Sequence, residues 1–451
     1  MSRFFPAYAE GKTEAMPVKK QSLKQQAALI ALSGVLVKAL GFGMRLWVSR
    51  SLGAEALGIM ELASGVHALA LAPAASGLPG AVSRMTAKAK DEEQRQRVLY
   101  AAKQLARRMA LMIGPLFLLL SPWIARLLGD ERTLPSLLCC APCVLFVGLS
   151  CVYDGACLGV GWAMPPVISE LGEQCVRLLS LFFLFSLIPA LAPAWRAALP
   201  AFAGALGEGA GLLIAALFLG RAVSFRKDPA LAPIRRALWA MSLPMIFSRL
   251  SHTGLRALSG MMIPRRLMAA GIPSGEAMSR LGMLNGMVMP LMFLPGLLAG
   301  ALAMVGGPAA AKCESKKTLR RLFFRILLPA LAAGIGCAGG LYLFSSVIAQ
   351  RLYHLPELAP LIRGLCPMAV LLPAQQALSG MAAGLGLQKH MLRHTLLGAF
   401  ATLLLTYLLT PPMGILGAGY AAMAGHCLTL LCTLILLFGR IFTPGDRIHS
   451  A

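Results

Sequence analysis

The sequence predicts an all-α polytopic membrane protein with about twelve transmembrane helices in two parallel six-helix repeats around a central cavity. Three observations carry this expectation. First, 57% of the 451 residues are hydrophobic, only 13% are charged, and the mean hydropathy is +0.72; water-soluble domains carry about 25% charged residues. Second, apolar stretches of about 18 or more residues recur from end to end, each long enough to cross a hydrocarbon core of ~30 Å. Third, short motifs from the first half return in the same order in the second. Soluble domains, intrinsic disorder and a disulfide-built secreted scaffold are excluded by the same composition.

Taken in order, residues 1–25 form a basic tail carrying Lys12, Lys19, Lys20 and Lys24. The apolar run that follows lacks a small-residue cleavage site and is too long for a signal peptide. A first lobe, 26–220, holds spans expected at 26–48, 57–82, 109–128, 134–160, 165–189 and 197–220. A basic linker, 221–237, contains Pro229 and Pro233. The second lobe, 238–438, holds spans at 238–264, 281–305, 323–349, 360–385, 394–411 and 414–438, and 439–451 forms a closing tail. Lys and Arg crowd the tails and the gaps after even-numbered spans and thin out after odd-numbered ones. That asymmetry predicts a multi-pass protein of the cytoplasmic membrane with both termini in the cytoplasm. The net charge of +24 is thereby read as topology and contact with anionic membrane lipids, with no nucleic-acid partner.

The repeat rests on three echoes. Gly155, Gly159 and Gly161 end span four, and Gly380, Gly384 and Gly386 end span ten. Gly53, Ala54, Glu55 and Ala56 precede span two as Ser274, Gly275, Glu276 and Ala277 precede span eight. Leu78, Pro79 and Gly80 recur as Leu294, Pro295 and Gly296. Six spans per half is an even number, so both halves start on the same side, as parallel repeats do.

An ionisable group within a span costs at least a few kcal/mol unless it meets water or a partner, so charged residues there are the site candidates. Lys38 and Arg45 on span one are seven residues apart and share a helix face, as do Arg249 and Arg256 on span seven. Together with Arg84, these suit an anionic head group; snorkelling to the interface is the competing reading. Glu170, Glu173 and Arg177 line one face of span five, Glu173 and Arg177 being ordered for an i,i+4 pair. Glu208 stands among Gly204, Gly207 and Gly209 in span six. For these four, a structural ion pair and a role in ion coupling are the two readings. Cys139, Cys140 and Cys143 lie in an apolar stretch without a neighbouring His, which favours packing over a metal site. No phosphate-binding loop or catalytic constellation occurs, so the chain is expected to be no enzyme and to need no cofactor, an ion gradient or the membrane potential supplying any energy.

Lys38 to Arg45 followed by Ser51 to Ala54, Ala75 to Arg84, Met164 to Arg177, and Leu243 to Leu267 with Gly282 to Pro295 carry a family resemblance. They resemble the sporulation-type members of the polysaccharide transporter branch of the multidrug/oligosaccharidyl-lipid/polysaccharide exporter superfamily. Against the family pattern, Asp154 stands where a basic residue is usual and Lys38 replaces a more usual Arg. Twelve helices stand against fourteen in many relatives. The resemblance implies a flippase of a lipid-linked cell-wall or oligosaccharide precursor of the polyprenyl pyrophosphate type, working by alternating access and serving spore cortex peptidoglycan. It implies an anionic lipid-linked substrate, with cell-wall synthesis enzymes as partners.

Rival functions differ in chemistry. A multidrug and toxin extrusion-type H⁺/Na⁺ antiporter of organic cations needs carboxylates and aromatics, whereas the first helix of each lobe offers cations. A membrane-embedded glycosyltransferase needs acidic or His residues in a sizeable external loop, and the expected external loops are short. A scaffold within a wall-synthesis complex is the third rival.

Overall fold

The computed structural model describes residues 23–188, 191–219, 231–313 and 315–442, and every regular element among them is helical. The basic tail as far as residue 22, most of the linker and the chain from 443 onward lie outside the described residues. In chain order the helices are α1 (Leu23–Ser76), α2 (Leu78–Lys88), α3 (Glu92–Leu128), α4 (Leu134–Cys140), α5 (Cys143–Gly159), α6 (Met164–Leu187), α7 (Pro193–Leu219) and α8 (Leu231–Ala269). They continue as α9 (Ser274–Leu281), a π-helical stretch Gly282–Val288, α10 (Met289–Met292), α11 (Gly296–Ala311), α12 (Lys316–Leu343), α13 (Ser345–Val347), a second π-helical stretch Ile348–Leu352, α14 (Leu358–Leu365), α15 (Met368–Gly384) and α16 (Gln388–Phe442).

Helix α1 has 54 residues. Straight, it would reach about 80 Å at ~1.5 Å per residue, more than two bilayer crossings. It breaks at Gly53, whose φ of 78° and ψ of 171° suit a residue without Cβ. The expected spans one and two therefore share one helix with a sharp joint, in place of two helices and a loop. Helix α16, of 55 residues, breaks in the same way at Gly414 (φ 61°), just after Pro411 and Pro412 have removed two backbone donors. Proline also divides α4 from α5 at Pro142 and α14 from α15 at Pro367, the latter pair being bent by 45°. Span eight, expected as one helix, is instead α9, a π-helical turn, α10 and α11 in succession. Among the described residues six helical runs, two of them joining α1 to α2 and α4 to α5, are long and apolar enough to cross a membrane, seven with the bent α14–α15 pair, and a count of twelve crossings is compatible with the two broken long helices.

The chain forms two compact units. The first takes the chain as far as Met44 and again Leu62–Gly254; the second takes Arg45–Glu61 and the chain from Leu255 onward. The core of the first is built by Leu78, Val82, Leu99, Val152 and Leu238, and that of the second by Phe323, Ile326, Leu378, Met381 and Leu437. Lipid is as apolar as leucine, so close packing by small residues has to hold such helices together. In the first unit, an added Cβ on Gly155 would stand 2.6 Å from the Pro79 carbonyl oxygen, and one on Gly159 2.6 Å from that of Ser83. In the second, a Cβ on Gly380 would stand 2.6 Å from the Ala303 oxygen and one on Gly384 2.0 Å from that of Gly307. The glycine echo thus builds the same kind of seam twice, α2 on α5 and α11 on α15.

Candidate functional site

In the second unit the centre of interest is Glu61. Sixteen residues separate it from Arg45, about 24 Å along an unbroken helix. The reversal at Gly53 instead brings the Arg45 Nη2 into an ion pair with Glu61 Oε1. The Glu61 side chain retains only 13% exposure and that of Arg45 36%. The same guanidinium donates to the Asn285 carbonyl at 3.1 Å and to the Gly286 carbonyl at 3.4 Å, both within the π-helical stretch. There the hydrogen-bond register is loosened and carbonyls turn outward. Tyr353, in the connection before α14, donates its hydroxyl to the Met287 carbonyl at 3.2 Å, and burial pushes its phenol up to about 12, so it remains a donor across the physiological range. Arg256 on α8 is exposed and close enough to act electrostatically on Glu61. One carboxylate thus faces two guanidinium groups.

The first unit reverses the count. On α6, Arg177 Nη2 pairs with Glu173 Oε1 one turn away and reaches Glu208 Oε1 on α7 at 3.4 Å. All three side chains are about four-fifths buried, at 20%, 18% and 22% exposure. Glycine sets their separation: a Cβ on Gly207 would lie 2.8 Å from the Glu173 carbonyl oxygen. Ser169 Oγ closes the same seam by donating to the Gly211 carbonyl at 2.7 Å. Asp154 on α5 acts electrostatically on both Glu173 and Glu208 through space. Glu170 is exposed and lies under the influence of Lys38. His67 faces Arg177, and its Nε2 is buried without a hydrogen-bond partner.

The sequence-derived candidates therefore divide. Glu173, Arg177 and Glu208 come together, Arg45 and Arg256 gather on Glu61, and Lys38 approaches Glu170. Arg84 on α2 and Arg249 on α8 are exposed and join neither cluster. Glu61, His67, Asn285 and Tyr353 escape the sequence reading. Glu61 and His67 carried a usable signal, both being ionisable groups inside the expected second span. Among the described residues no group of three or more His, Cys, Asp or Glu could hold a metal ion, and the eleven cysteines are free thiols.

Comparison with known proteins places this geometry. The chain is 26% identical over 432 residues, 91% of its length and 83% of the relative's, to stage V sporulation protein B of Bacillus subtilis (strain 168). It is 24% identical over 180 residues to sporulation protein YkvU of the same organism, covering 39% of this chain and 40% of that one. Among solved structures, an inward-facing multidrug resistance MATE family transporter of the MOP superfamily superposes with a TM-score of 0.72 at 18% identity, over 90% of this chain and 94% of that one. A MOP superfamily transporter from Pyrococcus furiosus Vc1, whose binding pocket is described as reversed in polarity, gives 0.66 at 17% identity, over 96% and 98%. The polysaccharide biosynthesis protein family matches residues 23–314. The chain belongs to that family, as a multi-pass membrane protein with the fold of the MOP-superfamily transporters.

Proposed function

We propose that the chain moves a lipid-linked anionic precursor of the polyprenyl pyrophosphate type across the cytoplasmic membrane by alternating access. The observation that carries this reading is the second-unit cluster, in which Arg45 and Arg256 share the single carboxylate of Glu61. Two guanidinium groups brought to one place suit a diphosphate, whose oxygens accept charge-assisted hydrogen bonds from both. Lys38, Arg84 and Arg249 of the first unit are proposed as further head-group contacts. The family's link to polysaccharide biosynthesis and the sporulation relative support a saccharide-bearing cargo for spore cortex peptidoglycan, with cell-wall synthesis enzymes as partners. The expected topology, with both termini cytoplasmic and lobes at 26–220 and 238–438, belongs to the same proposal. Cysteine labels at Lys227 and Lys316 should react from the cytoplasm alone and one at Gly275 from outside alone.

A second reading has its own observation. The first unit gathers Glu173 and Glu208 on Arg177, with Asp154 acting on both carboxylates and Glu170 beside Lys38, a carboxylate-rich pattern that suits a site for H⁺ or an organic cation. In the flippase this cluster serves ion coupling or a structural pair. Reconstituted vesicles decide between the two: translocation of a fluorescent lipid-linked pyrophosphate that fails in Arg256→Ala supports the flippase. Uptake of an organic cation driven by a proton gradient, unaffected by Arg256→Ala, would replace it with the antiporter.

A further inference from the structure

Away from both charge clusters, the surface of the first unit carries a hollow of about 250 Å³ between α3 and the α4–α5 joint. Its origin is in the sequence. Gly114 and Pro115 on α3 stand opposite Ala141 and Pro142, where α4 gives way to α5, so side chains are small or ring-closed on both walls. A Cβ built on Gly114 meets nothing within 4 Å. The remaining lining is Ala110, Leu111, Leu118, Leu138 and Leu145, without a polar side chain. Leu111 is 58% exposed and Leu118 43% exposed, and the adjoining Met112 and Leu119 are at 73% and 78%. In a membrane this face meets hydrocarbon.

One end of the hollow is charged. Arg107, Leu111, Gly114 and Leu118 recur at i, i+4, i+7 and i+11, a single stripe along α3. Arg107 therefore continues the floor of the groove one turn beyond its apolar lining, with Arg108 beside it. Elsewhere on α3 the arginines are occupied: Arg95 pairs with Glu92, Arg97 with Glu93 and Arg126 with Glu131. Arg107 and Arg108 are exposed and make no hydrogen bond or ion pair among the described residues. An apolar trough ending in two guanidinium groups where an expected span meets the interface has the charge and length pattern of a phospholipid.

We propose that this groove is a binding site for an anionic phospholipid, one acyl chain lying between Leu111 and Leu145 and the phosphate held by Arg107 and Arg108. The occupant is a resident bilayer lipid, because the groove lies on α3–α5 alone and shares no residue with either charge cluster. The site stands whether or not the chain is a flippase.

The test uses the full chain, purified and placed in nanodiscs of phosphatidylcholine with a minor fraction of phosphatidylglycerol, with lipids retained after detergent extraction counted by native mass spectrometry. The wild type should retain phosphatidylglycerol over phosphatidylcholine by about thirtyfold, the order expected of two arginines at a membrane surface. The Arg107→Ala/Arg108→Ala double variant should lose that preference. So should Gly114→Leu, whose Cβ has open space around it and whose side chain enters the trough while the arginines stay in place. Monodisperse gel filtration of each variant shows that folding is intact. Retention lost in the arginine variant but kept in Gly114→Leu would reduce the site to surface attraction and overturn the groove. Displacement of phosphatidylglycerol by equimolar undecaprenyl phosphate would overturn the assignment of a resident phospholipid in favour of a prenyl chain.

Discussion

The two charge clusters are mirror images in sign. In the first unit two carboxylates, Glu173 and Glu208, share Arg177; in the second two arginines, Arg45 and Arg256, bear on Glu61. The supporting architecture differs as well. Arg177 and its partners sit on adjoining regular helices packed through glycine, whereas Arg45 reaches Glu61 across a broken helix and grips carbonyls of a π-helical turn. The lesson is that an arginine between two ionised carboxylates is itself neutralised, and the trio is left with a net negative charge. An arginine that shares its carboxylate with a second cation has charge to spare for a ligand.

The comparison is broken most forcefully by removing Arg177. Arg177→Ala leaves two carboxylates facing each other, and breaking a buried pair costs about 3–5 kcal/mol; thermal unfolding in detergent should fall sharply and membrane abundance with it. An unchanged melting curve would show that the cluster is wet and that its pairing is not structural. The glycine seams come next. Gly155→Ala in the first unit and Gly384→Ala in the second each push a methyl into a carbonyl oxygen, and overpacking costs about 1–3 kcal/mol. Comparable losses in the two units would bear out the seams as equivalent, and a loss confined to one would separate them.

Removing single members of the clusters sharpens the contrast. Glu173→Gln leaves Arg177 with Glu208, so its cost should fall to about 1.5–2 kcal/mol, the low end of the range for one hydrogen bond to a charged group. Glu61→Gln takes the ion-pair partner from Arg45, whose guanidinium is 36% exposed and keeps the Asn285 and Gly286 carbonyls, so stability should fall by less than for Glu173→Gln while precursor release slows, lowering turnover by about tenfold for each 1.4 kcal/mol of tighter binding. Equal effects of these two carboxamide changes on stability and turnover would erase the distinction drawn between the units. The smallest effect is expected for Tyr353→Phe, which removes one hydrogen bond to the Met287 carbonyl and should cost about 0.5–1.5 kcal/mol in thermal unfolding.

Much of this was readable in the sequence. Apolar run length and the spacing of the basic gaps specify a helical membrane protein, because the bilayer fixes how long an element must be and forces backbone groups to be satisfied internally. The i,i+4 spacing of Glu173 and Arg177 is legible because a regular helix converts it directly into proximity. The partnership of Arg177 with Glu208, 31 residues on, is not, since it depends on how α6 and α7 pack. The pairing of Arg45 with Glu61 is hidden more deeply. Sixteen residues correspond to no helical neighbour, and only the left-handed φ at Gly53 folds one arm of α1 back on the other. The π-helical carbonyls that Arg45 grips leave no side-chain signature, because the register of a backbone hydrogen bond is set by neighbouring helices as much as by residue type.

The paired glycine seams have a consequence for motion. Where backbone touches backbone there are no interlocking side chains, so no change of rotamer can loosen the joint. Sliding would have to drive carbonyl oxygens across the opposing main chain. The rails formed by α2 with α5 and by α11 with α15 are accordingly the stiff members of their units, and glycine gives up no side-chain freedom in forming them. Flexing must then be taken up where the helical register is already interrupted: at Gly53 and Gly414, at the joints before α5 and α15, and in the π-helical turns Gly282–Val288 and Ile348–Leu352. One of these places, the π-helical turn from Gly282 to Val288, supplies both carbonyls that Arg45 grips, so that side chain is seated on an interrupted stretch of backbone.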